Sequence, residues 1–439
     1  MNSESKNNIN NLPIIIVALY LLITFLMYLF HFEDPNLQLL AVLIYCLATF
    51  GSLVIGYVFT SGLRKNKPRK KKQKPKKLFL KTINFNYTLF LYICFFVTIF
   101  IYTYYIFCYY KSFQDILYYS LHPGKAYEYI KFVNTSNGAR SLFTGTMGTI
   151  LGVIFNLLLM TKCFQIGILI SKIDKITFLS AFLTVISLLY YFFYCLLFGS
   201  MINVAMLAFI ALPFLIKKYI ENKKYKKSVW YYVTIPVLLF LFATVIILFL
   251  GDRSAYGDGS SLFSSGLEGI MDYVGQGYHA LSFDLSLNFQ STFGQSTFYG
   301  LTSLLTNKNI IPNFFNKSYM YRCELLYGWP AQSKWSTVIP WIASDFSFYL
   351  VPLIFFFIGA GAKKAWVDYV NNDSILPGFI LGQFFVFAFM IPANNQVFKT
   401  FLNSATFLVS LALYIYFVYT RRNKISYENL NVHSFEISI

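Results

Sequence analysis

Gly251-Asp252-Arg253-Ser254 opens the segment that organises this chain, and Trp335-Ser336-Thr337-Val338-Ile339-Pro340-Trp341-Ile342-Ala343-Ser344-Asp345-Phe346 closes it. Residues 251–345 are the one long polar-rich stretch between apolar runs in the second half of the chain. On either side the chain is a succession of hydrophobic runs, several of about 18 residues or more. Each such run is long enough to cross a hydrocarbon core of about 30 Å as a helix. Groups that do chemistry are expected to converge in 251–345, because nearly everything else is a membrane helix or a short connection.

Composition agrees with this reading. The chain is 57% hydrophobic, 20% aromatic and 12% charged, where a soluble domain carries about 25% charged residues. No water-facing helical surface can be built from these runs, which excludes a large soluble helical protein. The net charge of +18 is concentrated: ten basic residues lie between Arg64 and Lys77 and six between Lys217 and Lys227. Both clusters abut apolar runs, where they fix orientation and meet anionic lipid heads. Neither sits in a nucleic-acid-binding pattern, so no nucleic-acid partner is read from them.

The chain therefore reads as one polytopic membrane domain over 1–439, all-α, with about ten transmembrane helices. The spans are Pro13–Phe30, Leu37–Thr60, Tyr87–Tyr109, Ser141–Thr161, Ile176–Phe198, Met201–Ile216, Val229–Leu250, Phe346–Gly361, Ile375–Pro392 and Val397–Thr420. They are helices because lone strands leave backbone groups unsatisfied in lipid. The basic 62–81 loop is cytoplasmic, Lys162, Lys172 and Lys175 place the next connection inside, and Lys363 and Lys364 mark another. Both termini fall in the cytoplasm. The 111–140 loop, the turn Ala393-Asn394-Asn395-Gln396 and the large 251–345 loop then face outward. Within the large loop, Leu267–Phe293 suggests short amphipathic helices at the membrane surface, and Thr302–Trp335 a polar cover over the site.

Three of the seven arginines, Arg140, Arg253 and Arg322, fall outside the cytoplasm. Arg140 and Arg253 end spans at head-group depth. A guanidinium fork holds phosphate oxygens bidentately and keeps its charge, which suits a lipid diphosphate whose charge grows as it leaves. Asp345 is either a site carboxylate or the N-terminal cap of the eighth span. His279 and His122 are the loop histidines, and either can act as a base. Lys334, Trp335 and Thr337 complete the substrate-binding candidates, Trp335 through stacking on a sugar ring. The six cysteines lack metal-type spacing, and no nucleotide or cofactor motif occurs, so neither metal nor cofactor is expected.

With these residues in place, the chain resembles the Wzy-type oligosaccharide repeat-unit polymerases of bacterial surface glycans. The features that carry the likeness are many spans with one dominant outer loop, Gly251-Asp252-Arg253 before that loop, and Thr337 with Asp345-Phe346-Ser347 after it. The family usually has glycine where this chain has Ser347. The resemblance implies metal-independent transfer of a growing glycan from undecaprenyl diphosphate to an incoming lipid-linked repeat unit. It implies a diphosphate contact for Arg253 and a site-shaping role for Asp345. The partners it implies are undecaprenyl-diphosphate-linked oligosaccharide and membrane lipids, with a chain-length regulator and a flippase nearby. The location it implies is the bacterial cytoplasmic membrane, with the site facing out. A glycan ligase remains an alternative in the same chemistry, and a lipid-oligosaccharide flippase one from another class. The few ionisable groups in the spans and the lack of a repeat weigh against the flippase.

Overall fold

The computed structural model describes residues 3–31, 38–63, 86–135, 161–221, 247, 251, 261–330 and 334–436. Among these residues the regular structure is entirely helical. Seven helices are long and apolar enough to cross a membrane: Asn11–His31, Leu39–Thr60, Tyr87–Tyr109, Phe178–Leu197, Ile202–Glu221, Val338–Val370 and Phe401–Arg421. Two shorter apolar helices, Thr161–Ser171 and Leu376–Met390, accompany them. Nearly all of the fourth and seventh expected spans and most of the basic 62–81 loop lie outside the described residues, as do Arg140 and Arg253.

Helix starts follow local chemistry. Asn86, Thr177, Ser261 and Ser318 each cap a helix by accepting a backbone N–H, which satisfies donors the helix itself leaves open. In the 111–140 loop, Ser112 and Asp115 form a capping box at the head of the short helix Phe113–Leu121, and Pro123–Thr135 follows as a second one.

The closest packing joins α2 (Leu39–Leu63) to the long helix Val338–Val370. Tyr45 donates to the Phe348 carbonyl at 2.6 Å. Eleven residues further along both helices, Gly56 and Gly359 let the backbones touch. A Cβ on Gly56 would sit 2.0 Å from the Phe356 carbonyl oxygen, and one on Gly359 would sit 2.1 Å from that of Leu53. The equal offsets mean that the two helices run parallel. Small residues at such crossings supply the close packing that drives helix association in lipid, where no hydrophobic force acts between helices.

Four expectations are corrected. The eighth span does not begin at Phe346; its helix starts at Val338 and is broken at Ser347, with φ 63° and ψ 157°. That region is essentially reserved for glycine, so the serine stands at the one place in this helix where a side chain strains the backbone. Ser347→Gly is therefore expected to stabilise the protein by about 1 kcal/mol, read as a higher melting temperature in detergent. Helix Leu262–Asp284 does not lie on the surface. Its Tyr278 and Leu281 are fully buried, Tyr278 meets Thr24 at 3.1 Å, and Asp272 pairs with His31 at 2.7 Å. The helix thus runs antiparallel to α1 (Ser3–His31) and packs along its last turns, from His31 to Thr24.

The lysines at 162 and 363 are not loop anchors. Lys363 is buried inside its helix, donates to the Asn11 side chain at 2.9 Å and lies 4.7 Å from the Tyr57 ring centre. Lys162 is fully buried. It donates to Thr98 Oγ1 at 2.5 Å, Gln165 Oε1 at 2.7 Å and Ser187 Oγ at 2.5 Å. Thr98 and Ser187 stand near the midpoints of their own helices. Lys162 also precedes Lys172 by about 15 Å of helix, half of a core about 30 Å thick. Burial there is tolerated because all three ammonium protons have acceptors.

Candidate functional site

Two helices are interrupted next to each other: one is too short for a full crossing, and the other is broken near its head. Leu376–Met390 has 15 residues, about 22 Å of helix against a core of about 30 Å. Pro392, which has no N–H to extend the helix, follows its end. The turn at 393–396 is packed inside the protein: Asn394, Asn395 and Gln396 are all buried. Irregular backbone at membrane depth needs internal partners, and these are present. Asn395 Nδ2 donates to Thr297 O and Asn403 Nδ2 to Gln396 O, both at 2.7 Å. Gly300 N donates to Phe398 O at 2.6 Å, and Val338 N to Ile391 O at 3.0 Å. Helix Leu262–Asp284 closes onto the same turn, where a Cβ on Gly277 would lie 1.9 Å from Pro392 O.

The second interruption is the break at Ser347, and Asp345 beside it is neither free nor a cap of its own helix. Its carboxylate accepts from the Thr292 hydroxyl, from Gly294 N at 2.7 Å and from Thr297 N at 2.6 Å. Ser344 adds its carbonyl to Thr292 N at 3.0 Å and its hydroxyl to Tyr319 N at 3.0 Å. The pair Ser344-Asp345 therefore fixes the fold of 292–297 and 319 on the end of the broken helix. Asp345 is a positioning residue in this arrangement.

Between these parts opens a cavity of about 400 Å³, within the size range of small-molecule sites. Trp335, Asn394, Gln396, Lys399 and Asn403 give it a polar and aromatic lining, with Asn203 from the head of helix Met201–Glu221. The Lys399 ammonium lies 5.4 Å from the Trp335 ring centre, and Tyr273 stands edge-on to the same indole at 5.5 Å. Lys399 is exposed to the cavity, yet the protein around its ammonium lowers its pKa from the ordinary lysine value. No carboxylate lines the cavity, and Lys399 has no ion-pair partner among the described residues.

The other expected site residues fall around this cavity without lining it. His279 is buried against the Trp329 ring at 4.7 Å and the Phe283 ring at 4.9 Å. Lys334 reaches the same indole, with its ammonium 4.0 Å from the Trp329 ring centre. Trp329 thus joins two expected site residues in one aromatic stack. Thr337 is fully buried at the head of helix Val338–Val370. Arg322 is committed to the protein itself: Nε donates to Lys317 O at 3.0 Å and Nη2 to Asn288 O at 2.6 Å, and the guanidinium lies 5.0 Å from the Tyr319 ring centre. Its geometry is that of a clamp between Asn288 and Lys317. Burial pushes the Asp284 carboxyl up to about 8, so it is mostly uncharged at pH 7, with Ser336 Oγ donating to it at 3.4 Å.

Lys399, Asn394, Gln396 and Asn403 did not stand out in the sequence. Their signal was there: four carboxamides and one lysine within Asn394–Asn403, directly after Pro392 and inside an otherwise apolar region. Together they offer an ammonium, amide donors and acceptors, and an indole face, which suits a polar ligand with a ring. No family model, curated protein or solved structure matches the chain.

Proposed function

We propose that this protein polymerises oligosaccharide repeat units carried on undecaprenyl diphosphate, on the outer face of a bacterial cytoplasmic membrane. The observation that carries this reading is the polar cavity lined by Trp335 and Lys399, built beside a short apolar helix and the broken head of a long one. A site there meets a substrate whose lipid stays in the bilayer and whose sugars project outward. Ten spans, cytoplasmic termini and an outward 251–345 segment complete the reading. The parallel course of Leu39–Leu63 and Val338–Val370 agrees with two spans that both run inward.

In the reaction, the terminal sugar hydroxyl of the incoming unit attacks the anomeric carbon of the growing glycan. The bond from that carbon to the diphosphate oxygen breaks, undecaprenyl diphosphate leaves as the anion, and the hydroxyl proton passes to a base on the outer segment. Arg253 and Arg140 hold the diphosphate; both lie outside the described residues. Asp345 shapes the site through 292–297. Arg322, with its donors on Lys317 and Asn288, fits holding the outer segment in place better than gripping phosphate. A flippase that supplies outward-facing units is the partner this reading implies, with a chain-length regulator as a further candidate.

The test is a glycan ladder. In cells lacking the gene, the wild-type chain should restore polymer, and Arg253→Ala should leave single repeat units, with polymer reduced at least a hundredfold at equal protein level. Unchanged polymer in Arg253→Ala would sink the assignment. Full-length polymer stranded on the carrier would indicate a ligase. One observation favours a transport reading: Lys162, fully buried near the middle of the membrane, since ionisable groups at that depth commonly line transport pathways. Single units trapped on the inner leaflet would select it.

A further inference from the structure

The charge in the cavity is of one sign. Among the described residues its lining includes one ionisable side chain, Lys399, and no carboxylate. The buried carboxamide of Asn394, another lining residue, has neither end hydrogen-bonded among the described residues. Burying the Asn394 carboxamide without partners is costly, whereas the Lys399 ammonium is exposed beside the Trp335 ring and open to an anion. The Trp335 indole, 5.4 Å from the ammonium, supplies a flat apolar face of the kind sugar rings stack on.

We propose that this cavity binds an anionic sugar of the repeat unit, with its carboxylate or phosphate on Lys399 and its ring on Trp335. The proposal rests on the polymerase reading and deepens it: the glycan assembled here contains an acidic residue, and Lys399 selects for it. The Gln396 carboxamide and the Asn403 carboxamide oxygen serve the neighbouring hydroxyls. A charge-assisted hydrogen bond between ammonium and carboxylate is about twice as strong as a neutral one, enough to separate an acidic sugar from its neutral counterpart.

The test uses the full chain in lipid nanodiscs and follows tryptophan fluorescence, with Trp335→Phe identifying the reporting indole. The probes are methyl glucuronide, methyl glucoside and inorganic pyrophosphate. The glucuronide is expected to half-saturate the signal at a concentration at least tenfold below that of the glucoside. Lys399→Gln should erase that preference and Lys399→Arg should keep it, which separates loss of charge from loss of folding. Equal binding of the two sugars, or a preference untouched by Lys399→Gln, overturns the proposal. Tighter binding of pyrophosphate that displaces the glucuronide through Lys399 also overturns it, because the anion is then the carrier diphosphate. The two readings fail separately. A lost ladder in Arg253→Ala with equal binding of the sugars rejects only the acidic-sugar assignment. Glucuronide selectivity in a protein whose deletion leaves polymer length unchanged rejects only the polymerase reading.

Discussion

Replacing Gly359 by leucine is expected to cost about 2–3 kcal/mol or more, the scale of overpacking a close contact. The physical reason is the backbone contact with α2. Even a Cβ at Gly359 would lie 2.1 Å from the Leu53 carbonyl oxygen, well inside any contact distance. The obstructing atom is backbone on a neighbouring helix, so relief requires the two helices to part. Parting them also loosens Tyr45 from Phe348 O, because that bond lies along the same parallel contact. Alanine should give a smaller loss of the same kind. Gly361→Leu is the control, since nothing lies within 4 Å of its Cβ position on the same helix. Melting followed by size-exclusion in detergent should show a lowered transition for Gly359→Leu and an unchanged one for Gly361→Leu. Equal melting of the two variants would show that the glycine contact does not hold the bundle together.

The second large effect belongs to Asp345. Removing its carboxylate leaves Gly294 N, Thr297 N and the Thr292 hydroxyl without their acceptor. Hydrogen bonds to a charged group contribute about 1.5–3 kcal/mol each. They act on one short turn and are not additive, so Asp345→Ala is expected to cost about 3–5 kcal/mol locally. Asparagine should rescue little, because its NH2 would face backbone donors. Glutamate should rescue in part only, since its longer arm moves the oxygens away from three fixed donors. The cost falls on the 285–335 segment while the membrane helices stay assembled. Limited proteolysis of purified Asp345→Ala should therefore cut within 285–335 at rates the wild type does not show, and the glycan ladder should collapse. A protease-resistant Asp345→Ala that still makes no polymer would instead place Asp345 in the chemistry itself.

These two residues illustrate how differently the fold and the site could be read in advance. Most membrane runs were plain from hydropathy, because burying about 20 apolar residues in lipid is a local property of each run. Helix Val338–Val370 was started eight residues late, at Phe346. The sequence offers Asp345 as a site carboxylate or a helix cap, whereas Asp345 and Ser344 are both spent on hydrogen bonds to 292–297 and Tyr319. Lys162 was read as an inside anchor because it follows an apolar run, as true anchors do. Its three acceptors come from two other helices and from the next turn of its own, and only their convergence distinguishes the two cases. Trp335 was recognisable as an aromatic at the end of the outer loop. Its partner Lys399 was not, since the residues between them include two whole helices.

Taken alone, the sequence determined the helical membrane class and the position of most spans. Those follow from the hydrophobic effect and from charge placement, both of which act residue by residue along the chain. The tertiary structure decided where helices break and what those breaks enclose. The strained Ser347, the buried turn at Asn394–Gln396 and the cavity at Lys399 exist only because distant backbone groups bond one another there. Such bonds are possible at membrane depth only when packing brings their partners within about 3 Å, and that proximity is a property of the assembled helices.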